Sequence, residues 1–399
     1  MGSLTPPLLE SEDVAWFRDD ESLPASTRGA AAALARRLGF DEQRCAEVSL
    51  AVSEAATNLR KHAVDGALLL RIVRTEQDAG LEIVTTDEGP GMPDVARCLV
   101  DGTSSTGTLG IGLGAIARLA DTFDVHSLPG RGTVLSARFW TKDAARRSAA
   151  LGEPVVAGLT RPITGEVVCG DIWAARTVGR RTPDQADEAI RRVGSRPAEP
   201  LGWAALTGFR PAPDRPRQVR EAPEPTGHAE GPALLLMFCD GLGHGPLARR
   251  ASEAAATAFR ESRTDDPAGV ITEIHKALRG SRGGAVAVVR IEPLTKSLLF
   301  CGVGNVSTFV VDSETDSRRS LLSAPGIVGH QLPNLRAVRQ ELPRHGGVVM
   351  HSDGLTERWQ PASLPGFLEH SPLVAAAQLL REAGIRRDDA GVAVVKGPW

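Results

Sequence analysis

Along this chain the spacing of apolar residues changes, and each spacing suits a different element. Cys45, Val48, Val52, Ala55 and Leu59 recur at intervals of three and four, the period of a helix with one buried face. Leu81 and Ile83 alternate about Glu82, the period of a strand. Beyond about residue 155 the apolar residues come in short unbroken runs: Val167–Cys169, Ala233–Cys239, Ala285–Ile291, Leu298–Val303, Gly347–His351 and Val392–Val395. Runs of this kind suit strands buried on both faces, as in a sandwich covered by helices. The combination predicts an α+β protein.

A length of 399 residues exceeds one typical core and suits two domains. The net charge of -3 and 24% charged residues lack the basic excess of a nucleic-acid binder, so no nucleic-acid partner is expected. Five scattered cysteines with no CxxC pair argue against a disulfide framework or a zinc site and fit a reducing cytoplasm. With no basic region leading an apolar stretch and no apolar run of about 18 residues, neither export nor membrane association is expected.

The first domain is expected over residues 24–140, after an N-terminal extension, 1–23, in which Trp16 and Phe17 pack on that domain or form a dimer contact. Its reading is helix, helix, strand, strand, glycine-rich loop, helix, strand. The main helix runs from about Asp41, a suitable N-cap, to His62. Leu68–Arg74 and Leu81–Thr86 read as strands, and about Leu113 to Ala120 as an apolar helix. Residues 141–154, which lack apolar periodicity, read as a linker. The second domain covers 155–399, with helices expected over Leu247–Arg263, Ala268–Leu278 and Leu373–Ala383. A flexible insertion over about 194–232, dense in Pro, Arg, Ala and Glu, is assigned no catalytic role.

In the first domain Glu54 and Asn58 stand four residues apart on one helix face. Asp87, at the end of a strand, shares the inward parity of Leu81 and Ile83 and can accept an adenine amino proton. Gly107, Gly110, Gly112 and Gly114 let backbone N–H groups approach phosphate ahead of a helix N-terminus. Thr133 opens a strand and can join Asp87. The succession "SEAATN", "DEGPGM", "GTLGIGLGAI" and "GRGT" resembles the GHKL (Bergerat) ATPases, specifically the small serine kinases that act as anti-sigma factors or switch kinases. The resemblance implies that Asn58 holds Mg²⁺ against ATP and that Glu54 serves as base for the substrate hydroxyl. It further implies that Asp87 and Thr133 read adenine, that Gly89 and Gly91 shape its pocket, and that Gly110, Gly112 and Gly114 form the lid.

In the second half, acidic residues end apolar runs: Asp171, Asp240 in Asp-Gly-Leu-Gly-His-Gly, Asp353 in Ser-Asp-Gly, and the pair Asp388 and Asp389. Gathered carboxylates repel unless cations compensate them, and hard oxygen donors suit Mg²⁺ or Mn²⁺. The series "VVCGD", "LLLMFCDGLGHG", "GVGNVS", "VVMHSDGLTE" and "RRDDAGVAVV" looks like the PPM (PP2C-like) phosphatases, closest to their SpoIIE and RsbX-type branch, with an α-β-β-α sandwich. By that resemblance Asp171, Asp240, the Gly241 carbonyl, Asp353 and Asp388 would hold two ions, with Asp389 the adjacent alternative to Asp388. His244 falls in a turn beside them, structural or catalytic, while Gly304 and Asn305 shape a turn.

Together the two resemblances imply a protein serine/threonine phosphatase acting on a phosphorylated STAS (anti-anti-sigma) protein, with a sigma factor or related regulator as a further partner. The ATP-binding half is either the opposing serine kinase or a module that senses ATP or sequesters a partner.

Overall fold

The computed structural model describes residues 8–18, 20–99, 112–179, 232–397 and 399. The first sheet holds β1 (Glu10–Arg18), β2 (Ala67–Arg74), β3 (Ala79–Thr86), β4 (Thr122–Ser127) and β5 (Thr133–Phe139), all antiparallel in the order β1-β2-β3-β5-β4. One face is covered by α1 (Leu23–Arg37), α2 (Glu42–His62) and α4 (Gly112–Leu119), while α3 (Val95–Cys98) is a single turn after β3. Asp41 caps α2 by accepting from Arg44 N, and Arg60, Lys61 and His62 complement the dipole in its last turn. The stripe from Cys45 to Leu59 is buried against Leu68, Leu70, Ile72, Leu81, Ile83, Leu135, Ala137 and Phe139.

The extension expected before the first domain is instead part of it. β1 pairs with β2 along its length, Phe17 packs into the helix-covered core, and the Trp16 indole donates to Thr160 O at 2.8 Å. Residues read as linker form α5 (Lys142–Leu151), whose Ala144 packs with Trp140 and Val73.

The second half contains two sheets packed face to face. One orders as β13-β10-β9-β8-β7 and the other as β12-β11-β14-β15-β6. The first consists of β7 (Asp171–Val178), β8 (Ala233–Gly241), β9 (Gly284–Glu292), β10 (Ser297–Val303) and β13 (Val338–Glu341). The second consists of β6 (Val156–Arg161), β11 (Ser307–Asp312), β12 (Ser317–Leu321), β14 (Gly346–His351) and β15 (Ala390–Lys396). Leu236, Phe238 and Val289 meet Val310, Met350 and Val395 between them. The outer face of the first is covered by α6 (Pro246–Glu261) and α7 (Pro267–Ala277), that of the second by α8 (Pro372–Ala383). This is the expected α-β-β-α sandwich.

The run Val167–Cys169 is not a strand; it lies in irregular chain before β7, with Val167 86% exposed. The segment from Gly194 to Gly231, and with it Leu201–Phe209, falls outside the described residues.

The two halves share a core. α8 is buried on nearly every side from Pro372 to Leu380, as an apolar helix without a polar face must be. Its second contact surface is the open face of the first sheet, through Leu69, Val84 and Val134. Polar bonds frame this contact: Asp124 accepts from Ser371 N at 2.7 Å and meets His370 Nδ1 at 2.7 Å, and Gln378 meets His126 at 3.1 Å.

Candidate functional site

Strand register builds the acidic site. Asp171, the first residue of β7, lies directly opposite Asp240, near the end of β8. Asp171 is buried, and Ser352 Oγ donates to its Oδ2 at 2.6 Å while accepting from Gly391 N at 3.0 Å. Asp353 follows β14 and accepts from Asn305 Nδ2 at 2.6 Å, so the turn residue Asn305 orients a carboxylate. The Asp353 carboxylate lies near enough to Asp240 for its charge to act on that carboxyl.

The Asp-Asp pair divides its work. Asp389 accepts from Ile163 N and Gly170 N, both at 2.7 Å, one bond to each oxygen, and is buried. Asp388 is exposed, caps Asp389 N at 2.9 Å, and adds its charge to the field at Asp240 and Asp353. Gly354 is obligatory beside them, since a Cβ there would sit 1.9 Å from Asp389 O.

The electrostatics record the crowding. Burial, then the charge of Asp240, pushes the Asp171 carboxyl well above its ordinary value. Burial followed by Asp353, Asp388 and Asp389 raises Asp240 to about 8. Asp353 is raised by burial and by Asp388, against the opposing bond from Asn305. As the side chains stand, no three acidic, His or Cys groups among the described residues converge on one ion position. The donor set nonetheless fits cations: facing carboxylates destabilise one another's charged form, which a divalent ion reverses. His244 stands on the surface beside Glu166, with Nδ1 and Oε1 3.2 Å apart.

The second constellation lies between α2 and the ends of β3 and β5. Glu54 and Asn58 converge on the first described residue of α4: a Cβ on Gly112 would lie 3.4 Å from Asn58 Oδ1 and 3.6 Å from Glu54 Oε2. Asp87 N donates to Thr133 O at 3.0 Å, which brings those two residues together, and Asp87 Oδ1 accepts from Gly89 N at 2.8 Å. Burial raises this carboxyl above its ordinary value, against the backbone N–H groups of Gly89 and Thr133, which favour its charged form. Gly132, at φ +78°, lies where a Cβ would meet Asp87 O at 1.9 Å; a Cβ on Gly91 would meet Leu128 O at 2.0 Å. The two glycine turns therefore lock around Asp87. Gly114 is buried in α4, whereas Gly107 and Gly110 lie outside the described residues.

Three participants were missed in the sequence. Ser127 Oγ bridges Met92 N at 2.8 Å and the Thr133 hydroxyl at 2.9 Å, Ser352 fixes Asp171, and Arg381 of α8 donates to Asp87 O at 3.3 Å. Only Ser352, adjoining Asp353 at a strand end, carried a local signal.

The fold and these two sites define a protein built from a nucleotide-binding α/β sandwich and a PP2C-like phosphatase sandwich. Residues 18–139 match the histidine kinase-like ATPase domain and residues 230–390 match the stage II sporulation protein E (SpoIIE) family. The serine/threonine-protein kinase RsbT of Bacillus subtilis is 37% identical over 27% of this chain and 82% of its own length. The anti-sigma F factor of Caldanaerobacter subterraneus is 30% identical over 27% of this chain and 78% of its own. The phosphoserine phosphatase RsbX of Bacillus subtilis is 24% identical over 32% of this chain, which spans 63% of RsbX. The chain belongs to the RsbT-like histidine kinase-type ATPase family through its first domain and carries a SpoIIE/RsbX-like PP2C serine phosphatase domain after it. Among the described residues no helix is long and apolar enough to cross a membrane.

Proposed function

We propose that this protein dephosphorylates serine or threonine on a phosphorylated partner-switching regulator of the STAS type in the cytoplasm, and that its ATP-binding half is the opposing serine kinase. The observation that carries the phosphatase reading is the register that sets Asp171 against Asp240, with the charges of Asp353 and Asp388 acting on Asp240. Asp171, Asp240, the Gly241 carbonyl, Asp353 and Asp388 would hold two Mn²⁺ or Mg²⁺ ions, which supply charge compensation for the phosphoryl group and a water of lowered pKa. Ser352 and Asn305 hold two of those carboxylates in orientation. Asp389, with both oxygens occupied by backbone amides, fastens the loop rather than ligating. In the first domain Asn58 would hold Mg²⁺ with ATP, Glu54 would take the proton of the partner's hydroxyl, and Asp87 with Thr133 would read adenine. Removing phosphate charge from a binding surface restores a complex that phosphorylation breaks, so a sigma factor or related regulator would be released or captured downstream.

The test is phosphate release from a phosphoserine-bearing STAS protein with Mn²⁺, comparing the intact chain with Asp240→Ala and Asp353→Ala. Metal-dependent release abolished by both substitutions is expected; release that survives both refutes the site.

A second reading, in which the ATP-binding half regulates the phosphatase without kinase activity, draws support from the Arg381 bond to Asp87 O. Glu54→Gln separates the two: it removes phosphorylation and spares ATP binding under the first reading, and changes nothing under the second.

A further inference from the structure

Between β1, the turn after α2 and the α8–β15 turn lies a cleft of about 70 Å³ lined by Arg18, Arg161, Arg381 and Arg386, with Asp65 and Glu88. Four guanidinium groups thus face two carboxylates. Arg386 is ion-paired with Asp65, and Arg381 with Glu382 at 2.8 Å. Among the described residues Arg18 and Arg161 meet no carboxylate; Arg161 Nη2 donates only to Ile385 O, at 3.0 Å. Burial, reinforced by the nearby charge of Arg18, draws the Arg161 guanidinium below its ordinary value. Two neighbouring cations that touch no carboxylate, one of them half-buried, repel each other and are eased when an anion joins them. The planar fork of arginine matches phosphate oxygens in pairs.

We propose that this cleft is an anion site that takes a phosphate group, as free phosphate, pyrophosphate or the phosphoryl end of a small metabolite. Arg18 approaches from the first sheet and Arg161 from β6 of the second half, so the ligand bridges the two domains. None of Asp171, Asp240, Asp353, Glu54 or Asn58 lines it, which makes it separate from the acidic site and from the proposed phosphate end of the nucleotide pocket. Its neighbour is Arg381, which reaches Asp87 O.

The experiment is calorimetric titration of the full chain, in EDTA and without nucleotide, with inorganic phosphate, pyrophosphate and glycerol phosphate in separate arms. Saturable binding is expected in at least one arm, and the tightest arm identifies the source of the phosphate group. Arg161→Gln and Arg18→Gln should each weaken binding about tenfold or more, on the scale of a lost charge-assisted pair of hydrogen bonds. Asn58→Ala should leave it unchanged. If Arg161→Gln fails to fold, the exposed Arg18→Gln carries the comparison. No binding in any arm at about 10 mM, some tenfold above the millimolar floor of weak recognition, overturns the proposal. So does binding that Arg18→Gln leaves intact.

Discussion

Arg381 on α8 donates through Nη1 to the carbonyl oxygen of Asp87 at 3.3 Å, joining a helix of the phosphatase sandwich to the glycine turns of the nucleotide fold. Seven residues of chain, 382–388, separate Arg381 from Asp389, and both ends of this segment are tied down. Ile385 N donates to Gly354 O at 2.7 Å, next to Asp353, while Asp389 holds Ile163 and Gly170. A continuous hydrogen-bonded stretch of chain thus runs from the Asp87 turn to the acidic rim.

Replacing Arg381 by Ala should weaken ATP binding by roughly 2- to 10-fold, the range of one lost hydrogen bond of about 0.5–1.5 kcal/mol. Nucleotide titration measures it. Unchanged affinity would mean that the contact positions nothing in the pocket.

The interface between the halves should loosen in acid. Burial, then His370 and Arg381, lowers His126 from 6.5 to about 4, so it stays neutral in the folded state while the unfolded chain gains a proton near 6.5. Its contribution is present above about 6.5 and declines as pH falls toward 4. Burial alone would raise Asp124, but the bonds from His370 and Ser371 outweigh it and hold the carboxyl at about 2 against 3.8. That contribution is present above 3.8 and is lost as pH falls toward 2. Thermal melts from pH 7 to 4 should show a falling midpoint whose slope His126→Gln reduces; an identical slope would sink this account.

What the sequence revealed follows from how local each signal is. The α2 stripe, its Asp41 cap and the strand-end carboxylates depend on spacing within one element, and the structure brings the predicted residues to common rims. β1 was obscure because an edge strand such as Glu10–Arg18, half-buried and rich in acids, lacks clean alternation. Val167–Cys169 misled because an apolar triplet of a turn reads like a short strand. The shared core had signals of its own: Leu68, Leu69 and Leu70 run unbroken, and α8 from Pro372 to Leu380 is apolar apart from Gln378. Each says that an element is covered on both sides, but neither names the partner, and the Arg381 contact depends wholly on that partner.

Ser352→Ala should reduce the apparent Mn²⁺ affinity of the phosphatase reaction about 10- to 100-fold, the usual effect of losing a group that orients a ligand. The Asp171 carboxylate would lose its 2.6 Å hydroxyl donor, and Gly391 N its acceptor. A Mn²⁺ titration of phosphate release reads this directly, and an unshifted midpoint would show that Asp171 needs no such support.

Asp388 and Asp389 should fail differently when neutralised. Asp388→Asn leaves backbone contacts largely in place because the side chain is exposed and amide oxygen can still cap Asp389 N, so the chain should fold with an ordinary melt. Its metal-dependent phosphate release should nevertheless drop by at least about 100-fold, since a neutral amide is a poor substitute for a hard anionic donor. Asp389→Ala should instead strip the acceptors from Ile163 N and Gly170 N, at about 1–3 kcal/mol for each buried donor left unpaired. It should lower the melting midpoint even in EDTA, where no metal contributes. Measuring both variants by melting and by Mn²⁺-dependent turnover separates ligand from fastener. A stable Asp389→Ala protein without turnover, beside a fully active Asp388→Asn, would reverse the assignment.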